Sequence, residues 1–456
     1  MLNEKGLAAF LRKSIRRHDV PGASFAVLRN DRIVRRAQAG VVNLDSKIPV
    51  TDNAVFQIGS ITKPLTATLV MQLVDEGLVG LDAPLVEYLP DFRVARLDVS
   101  QTVTIRELLC HTSGIDGDLF VDTGRGDESI RRFMDRCTMV PSLFERGAMM
   151  SYCNLGFAAL GRVLEVVRNK PFDQVMVDHL FKPLGMKHAF ASPEHAIRFN
   201  CAIGHVPRSP TRGWQASTRP YLSFGQAAAG SVPSMSANDL LQVARLHLNA
   251  GRLGSGSRML TSRSARAMQR RQIKLPRHAP HGVTGWGLGW FLMNWNGQRV
   301  YGHDGGTIGQ FAYLRIFPEK GIAVALLTNG GRAGLLFDDV CNEVISPLVL
   351  AEPPVLPAPL ADQPDYRRFE GRYENMGSIV DIKCKKDRLM LSSTDRDTGQ
   401  PGYKRALPLV FLDSGTARLD GGNAELDKIG WYFTNEDESG RPRYVQSGFR
   451  QLKRSA

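Results

Sequence analysis

The sequence Ser60-Ile61-Thr62-Lys63 stands between a strand-like segment, residues 55–59, and an apolar segment typical of a helix, residues 65–74. Because side chains three positions apart lie on one face of a helix, the Lys63 side chain is expected beside the Ser60 hydroxyl. Ser60 would lie in the first helical turn, where free backbone N–H groups favour a developing anion. A serine becomes a nucleophile when a neighbour takes its proton, which a partly dehydrated lysine can help to do. Taken alone, these four residues also fit a simpler interpretation, in which Ser60 caps the helix and Lys63 is solvated.

Tyr152 and Asn154 are candidates for the second acid–base group and for the amide that such a site requires. They stand at the entrance to a helical segment, residues 155–167. The phenol can transfer a proton, and the amide can both donate and accept a hydrogen bond. Taken alone, Tyr152 also fits a buried aromatic residue with a satisfied hydroxyl.

The third element is Gly302-His303-Asp304-Gly305-Gly306, which follows a strand-like segment and precedes another. Glycines such as Gly305 and Gly306 would let the backbone come close to a bound acyl group. The Gly306 N–H is a candidate for the second oxyanion donor, beside the N–H of Ser60. Taken alone, His303 also fits an ordinary loop histidine.

His111 is a further candidate, since a histidine can activate a serine such as Ser60 or Ser113. We interpret it as part of a structural turn with a hydrogen-bonded imidazole, because Ser60 already has Lys63 and Tyr152 as candidate partners. No Gly-x-Ser-x-Gly sequence occurs, which excludes the nucleophile elbow of α/β-hydrolases.

The order, spacing and flanking sequence of these elements resemble the serine β-lactamase-like family, in the branch that contains class C β-lactamases, D,D-carboxypeptidases, D-aminopeptidases and related esterases. Ser-x-x-Lys is a known motif of the neighbouring class A enzymes and penicillin-binding proteins. The resemblance extends over about residues 10–350. The segments that support it are residues 56–64, 80–90, 104–114, 183–186 and 229–232.

The resemblance implies a role for each matching position. Ser60 would be the acylated nucleophile, and Lys63 and Tyr152 would share the acid–base work, with the phenol held partly deprotonated by neighbouring cations. Asn154 would contact Lys63 and the substrate carbonyl. His303 stands where many relatives have the lysine of a Lys-Thr-Gly motif, which weakens the case for a β-lactam carboxylate as ligand. The histidine form is more familiar in esterase, D-peptidase and acyltransferase relatives.

The resemblance and the order of the segments predict an α+β fold: a β-lactamase-like antiparallel sheet flanked by helices, an inserted helical domain, and a C-terminal lipocalin-like β-barrel. First and last segments of the hydrolase domain would build one sheet, with the site between the sheet and the insert. The segments concerned are helices at residues 7–17 and 333–350 and strands at residues 23–29, 33–39, 286–293, 299–303, 310–317 and 322–328.

Changes in composition predict the domain boundaries. Residues 1–350 would form the hydrolase domain, with the helical insert at about residues 61–251. Residues 351–365 contain a stiff, proline-rich linker. Residues 366–456 carry short strand-like segments between Gly, Asp and Asn turns, which predicts an antiparallel barrel. The six segments are residues 371–373, 378–383, 388–392, 407–412, 428–433 and 444–449.

Composition favours an enzyme and excludes several other classes. Of 456 residues, 43% are hydrophobic and 23% are charged, which is ample material for a core. No segment is apolar enough to span a bilayer, and the N-terminus lacks the apolar region of a signal peptide, so a cytoplasmic location is expected. Six scattered cysteines form no paired or metal-binding pattern, and no phosphate loop or dinucleotide fingerprint occurs. No metal or cofactor is therefore predicted.

The formal net charge of +13 comes from short clusters of Lys and Arg that are spread over the chain. They form no recognisable nucleic-acid module, so no nucleic-acid partner is predicted. The positive field is expected to steer anionic substrates, such as acidic peptides or peptides with a free carboxylate. Two polar loops, residues 116–127 and 207–219, are expected to shape the substrate rim. The sequence leaves oligomerisation open.

The predicted activity is that of a serine hydrolase that cleaves amide or ester bonds of short peptides, including peptides with a D-residue, through an acyl-enzyme on Ser60. Two alternatives remain open. A transacylase or peptide cyclase would give the same acyl group to an amine or alcohol. A catalytically silent sensor would bind peptides or become acylated only once, which the intact set of candidate residues argues against.

Overall fold

The computed structural model describes residues 3–209, 213–279, 282–363, 365–386, 388–396, 398–403, 405–422, 426–428 and 430–455. Within the predicted rim loop at residues 207–219, Pro210, Thr211 and Arg212 lie outside the described residues. The helices are α1 Glu4–Arg17, α2 Thr62–Asp75, α3 Leu97–Thr102, α4 Ile105–Leu109, α5 Ser129–Met134, α6 Asn154–Arg168, α7 Phe172–Met176, α8 Pro193–Ala196, α9 Ala237–Leu248, α10 Ser262–Met268, α11 Ala333–Val340 and α12 Ser346–Val349. The strands are β1 Gly22–Arg29, β2 Arg32–Gly40, β3 Phe56–Gln57, β4 Ala189–Phe190, β5 His205–Pro207, β6 Trp214–Ala216, β7 Ser234–Met235, β8 Ile273–Lys274, β9 Val283–Trp286, β10 Phe291–Trp295, β11 Gln298–Gly306, β12 Phe311–Phe317, β13 Ile322–Thr328, β14 Gly371–Glu374, β15 Ser378–Lys385, β16 Arg388–Asp395, β17 Leu407–Phe411, β18 Thr416–Leu419, β19 Gly430–Glu436, β20 Pro442–Ser447 and β21 Arg450–Arg454.

Eight strands form one sheet in the order β2-β1-β13-β12-β11-β10-β9-β8. The N-terminal strand β1 pairs antiparallel with the much later strand β13, with Ala23 opposite Thr328 and Arg29 opposite Ile322. The first and last parts of the predicted hydrolase domain therefore build one sheet, as the sequence predicts. Strand β13 has the predicted bounds, and all of its residues are buried.

Side chains alternate between the two faces of this sheet because successive residues of a strand point in opposite directions. In β1, Phe25 and Val27 pack with α1 and α11 on one face, whereas Ala26 and Leu28 pack with the helical insert on the other. Both faces are covered, so seven of the eight residues of β1 are buried. This double burial explains why β1 and β13 are apolar at nearly every position.

Helices α2 to α9 fall within the predicted helical insert at about residues 61–251, and α10 follows before β8. Helix α2 is the centre of the insert, since every residue from Thr62 to Leu73 is buried. A helix that is apolar around its whole circumference is typical of a buried position. The insert also contains a small sheet of two-residue strands in the order β3-β7-β4. Among the described helices, none is both long and apolar enough to cross a membrane.

Strands β14 to β21 close into an eight-stranded antiparallel barrel, which confirms the predicted barrel. Its core is a cluster of side chains that includes Phe369, Tyr373 and Trp431. The sequence predicts six of these strands; β18 and β21 are not predicted, and they are only four and five residues long. Residues 351–360 before the barrel have no regular structure. The exact boundaries of the domains remain predictions.

Three predicted segments differ from the structure. The segment at residues 55–59 contributes only the two-residue strand β3, because Gly59 begins a 3-10 turn. The segment at residues 286–293 is divided between β9 and β10, and Gly289 between them has a φ of +81°, which favours glycine. A π-turn, Cys341–Ile345, interrupts the predicted C-terminal helix between α11 and α12.

We expect Leu314→Ala to lower the free energy of unfolding by about 2–5 kcal/mol, because the side chain is fully buried in β12 and its truncation leaves a cavity. The matched variant Leu78→Ala removes the same atoms from a side chain that is 49% exposed. Its loss should stay below about 0.5 kcal/mol. Urea unfolding followed by tryptophan fluorescence measures both values, and equal losses would contradict this assignment of the core.

Candidate active site

Ser60 lies in the 3-10 turn Gly59–Ile61, immediately before helix α2. It is the one residue between positions 54 and 73 that is not buried. Gly59 has a left-handed φ of +52°, which turns the chain sharply after strand β3. The turn therefore exposes the Ser60 side chain at the end of an otherwise buried segment.

Lys63 is fully buried, and its side-chain nitrogen has three oxygen neighbours. Nζ lies 3.1 Å from Ser60 Oγ, 2.7 Å from Asn154 Oδ1 and 2.7 Å from the Ala229 carbonyl oxygen. Burial lowers the pKa of Lys63 well below its usual value, and the charge of Arg450 lowers it further. The structure thus brings Ser60 and Asn154 together around the side-chain nitrogen of Lys63.

Tyr152 lies beside the same amine, with Lys63 Nζ 4.5 Å from the centroid of its ring. Burial raises the pKa of Tyr152 above its usual value, while a hydrogen bond with Ser60 and the charge of Arg450 act in the opposite direction. The prediction that neighbouring cations hold this phenol partly deprotonated is therefore wrong. Desolvation is the larger effect, and the phenol is neutral.

His111 holds the segment that carries Tyr152 and leads into α6. The Cys153 N–H donates to His111 Nδ1 at 3.0 Å, and the Ser151 N–H donates to the His111 carbonyl oxygen at 3.0 Å. The centroids of the His111 and Tyr152 rings are 4.5 Å apart. Burial lowers the pKa of His111, so the imidazole is neutral. These contacts support the interpretation of His111 as a structural residue.

Three glycines let separate backbone segments meet at Ser60. A Cβ atom on Gly59 would lie 2.5 Å from the Gly306 nitrogen, and one on Gly305 would lie 3.0 Å from the Ser60 nitrogen. Gly230, with a φ of +118°, approaches from another side, where a Cβ atom would lie 2.8 Å from the Ser60 nitrogen. Strand β11 therefore lies directly against the Ser60 turn, with the backbone of Gly306 next to it.

His303 lies inside strand β11, which continues to Gly306, beyond the predicted end of the strand at residue 303. Its Nδ1–H donates to the Asp304 carbonyl oxygen at 2.6 Å, and its buried Nε2 has no hydrogen-bond partner among the described residues. Burial lowers the pKa of His303 to about 3, so the ring is neutral. The Asp304 carboxylate is paired with the buried Arg315, at 2.5 Å. A neutral imidazole does not replace the permanent charge of a lysine at this position.

Arg450 and Asp118 are not predicted as site residues from the sequence, although both lie at the site. Arg450 comes from barrel strand β21, and its guanidinium carbon is 5.2 Å from the centroid of the Tyr152 ring. Its Nε donates to the carboxylate of Asp118, a buried residue of the loop at residues 116–127. Nothing in the local sequence marks Arg450, because it reaches the site only through the docking of the barrel.

The arrangement combines a hydroxyl, an amine of lowered pKa, a neutral phenol and two closely approaching backbone segments, which are the groups that acyl transfer through a serine requires. All six cysteines are free thiols. Within the part of the chain that the structure describes, no group of three or more His, Cys, Asp or Glu side chains is placed to hold a metal ion.

The family model described as Beta-lactamase matches residues 7–338 of the chain. The match covers most of the sequence, so this protein belongs to the beta-lactamase family. Its relatives are serine hydrolases, and the chain is an enzyme of that class, which confirms the predicted family, fold and enzyme class.

Three relatives illustrate the range of this family. Penicillin-binding protein 4 of Amycolatopsis lactamdurans is 41% identical over 362 residues, which are 79% of this chain and 94% of that protein. Esterase EstB of Burkholderia gladioli is 27% identical over 377 residues, which are 72% of this chain and 91% of the esterase. The crystal structure of SurE superposes with a TM-score of 0.81 and 27% identity, and the match covers 99% of both chains. The likeness to SurE therefore includes the barrel.

We expect Gly305→Ala to slow the hydrolysis of an activated ester about 100-fold, because the added Cβ atom pushes β11 away from the Ser60 turn and displaces the Gly306 N–H, the predicted second oxyanion donor. Gly254→Ala is the matched control, since Gly254 is exposed and its Cβ atom would make only ordinary contacts. Steady-state kinetics of both variants measures the effect. A Gly305→Ala enzyme as active as the control would contradict the close approach of β11.

Proposed function

We propose that this protein is a serine acyl hydrolase that cleaves amide or ester bonds of short peptides through an acyl-enzyme on Ser60. The observation that carries the proposal is the distance of 3.1 Å between Lys63 Nζ and Ser60 Oγ, in buried surroundings that lower the pKa of the amine. A neutral amine beside a serine hydroxyl is a base beside a nucleophile. If Ser60 only capped the helix and Lys63 were solvated, the Lys63 side chain would not be fully buried.

Lys63 is the base of the proposed acylation. A neutral amine has two N–H donors and one lone pair, and the donors are satisfied by Asn154 Oδ1 and the Ala229 carbonyl oxygen, each at 2.7 Å. The lone pair is left for the Ser60 O–H. As Ser60 Oγ bonds to the substrate carbonyl carbon, its proton moves to Lys63. The N–H groups of Ser60 and Gly306 bind the oxygen that becomes negative.

Tyr152 is the proposed proton donor to the leaving group. Its neutral phenol is hydrogen-bonded to Ser60, so it holds a proton beside the atom at which the scissile bond breaks. The leaving amine or alcohol takes the phenol proton, and the proton on Lys63 replaces it. Water then attacks the Ser60 ester, and the same groups act in the reverse order to release the acid.

Peptides that contain a D-residue are the proposed substrates. A crystal structure of SurE contains D-Leu, and that structure superposes on this chain with a TM-score of 0.77 and 27% identity over 99% of both chains. The neutral His303 provides no fixed charge for a β-lactam carboxylate, which favours a peptide over a lactam.

Acyl transfer to an amine, as in a transacylase or peptide cyclase, is the second candidate. It uses the same acyl-enzyme, with an amine in place of water. The D-Leu bound to SurE also favours this reaction, because a free amino acid is either a released product or an incoming amine.

We expect brief exposure to p-nitrophenyl acetate to give a mass adduct that maps to the Ser60 peptide and decays with time. Ser60→Ala should abolish the adduct, and Lys63→Met should slow its formation about 100-fold or more, because the base is lost. Ser255→Ala, at an exposed position, is the matched control and should behave like the native protein. Intact-protein mass spectrometry measures these rates. An undiminished adduct on Ser60→Ala would refute the assignment of Ser60 as the nucleophile.

Added D-Leu distinguishes hydrolysis from transfer. We expect turnover of a short peptide ester to give mainly the free acid at every concentration of D-Leu, because water is the proposed acceptor. A ligated product that increases with D-Leu, but not with the control L-Leu, would instead establish the transferase. A single acylation with no turnover would support the silent sensor. Liquid chromatography with mass detection separates these products.

A further inference from the structure

A large cleft lies where helix α11, the proline-rich segment at residues 353–359 and barrel strand β18 meet. Its volume is about 840 Å³. Pockets that bind small molecules typically have volumes of about 300–1,000 Å³ and often lie between structural units. The candidate site residues Ser60, Lys63 and Tyr152 do not line this cleft. It is therefore a second concave surface, separate from the proposed active site.

The proline-rich segment is a fixed wall of the cleft. Pro354 packs so closely on Gly282 that a Cβ atom on the glycine would lie 2.2 Å from Pro354 Cγ. Beyond the prolines, the Leu360 N–H donates to the carbonyl oxygen of Phe411 on β17 at 2.8 Å. Prolines between these two anchors restrict the backbone further. A ligand that binds against such a wall has little chain entropy to overcome.

Aromatic side chains form another part of the lining. Phe337 of α11 stacks on Tyr313 of β12, with ring centroids 4.2 Å apart and an angle of 6° between the ring planes. Trp295 of β10 also lines the cleft. Val355 of the proline-rich segment lines it as well, although this side chain is 88% exposed. The chain thus leaves apolar surface uncovered here, and an apolar ligand would remove that surface from water.

Arg418 of β18 is the one guanidinium or ammonium group, among the described residues of the lining, that has no partner. Arg315 is paired with Asp304, and Lys428 is paired with Asp338. The half-buried Arg418 forms no ion pair or side-chain hydrogen bond with any described residue. A guanidinium next to apolar surface can bind a carboxylate through charge-assisted hydrogen bonds.

The remaining polar groups of the lining already have partners. The Asp427 carboxylate accepts a hydrogen bond from the Gly421 N–H at 2.9 Å and forms no ion pair with Arg418. His278 Nε2 lies 3.8 Å from the Asp413 carboxylate. The charge left to be matched is therefore positive, which favours an anionic ligand over a cationic one.

We propose that this cleft binds a molecule with an apolar body and one carboxylate, the chemistry of a fatty acid. The carboxylate pairs with Arg418, and the apolar body packs against Phe337 and the proline-rich segment. This ligand site does not depend on the proposed function of Ser60, because neither the charge nor the apolar surface that forms it belongs to the active site.

Isothermal titration of the full chain with dodecanoate tests this site. We expect one dodecanoate per chain, and Arg418→Gln should weaken binding at least about 10-fold because the charged partner is lost. Dodecanol has the same apolar chain without the charge, so it should bind the native protein about as weakly as dodecanoate binds that variant. Gly334→Leu should prevent binding, because Gly334 lines the cleft from helix α11 and a leucine there occupies it.

Arg443→Gln is the matched control, since it removes the same charge from an exposed position on β20 outside the cleft. It should bind dodecanoate like the native protein, as should Ser60→Ala, and thermal unfolding checks that each variant is folded. Absence of binding to the native protein, equal binding to Arg418→Gln, or tighter binding of dodecylammonium would overturn the proposal. Dodecanoate that competes with p-nitrophenyl acetate and binds Gly334→Leu undiminished would lie at Ser60 instead, which would also overturn it.

Discussion

The burial of Lys63 is the constraint on which the rest of the site depends. A buried ammonium without partners is costly, so a fully buried lysine is stable as a neutral amine with satisfied N–H groups. Helix α2 makes this possible because it is buried around its whole circumference within the insert. Asn154 Oδ1, the Ala229 carbonyl oxygen and Ser60 Oγ are the three oxygen neighbours of Nζ. An amphipathic helix would have left the same lysine protonated in water.

The second constraint is the close approach of backbone segments around Ser60. At Gly59, Gly230 and Gly305 a Cβ atom would collide with a neighbouring backbone, so the turn before α2 and strand β11 meet without side chains between them. The positions of the Ser60 and Gly306 N–H groups are consequently set by main-chain geometry. Donors fixed in this way need no reorganisation when charge develops on a bound carbonyl oxygen. The sheet and the insert are thus joined at the point where the proposed chemistry occurs.

Features that depend on local geometry could be predicted from the sequence, and features that depend on burial or docking could not. Ser60 and Lys63 share one helical turn, so their contact follows from helix periodicity. Tyr152 is neutral because the folded protein shields its phenol from water. The spacing of residues in the sequence does not reveal this burial. Arg450 becomes part of the site only when the barrel docks, and its strand β21 was itself not predicted. The continuation of β11 to Gly306 was also not predicted, because glycines usually end a strand, whereas here they allow its close approach.

The charge of the site has a different origin from the net charge of the chain. The chain carries a formal charge of +13, but burial lowers the pKa of Lys63 and keeps His111 and His303 neutral. A guanidinium keeps its charge under such conditions, because its intrinsic pKa is too high for burial to remove the proton. Arg450 can therefore supply positive charge where a lysine or histidine would lose it. Helix α2 thus sets the geometry of Ser60 and Lys63, while the docked barrel brings Arg450, paired with Asp118, beside the Tyr152 ring.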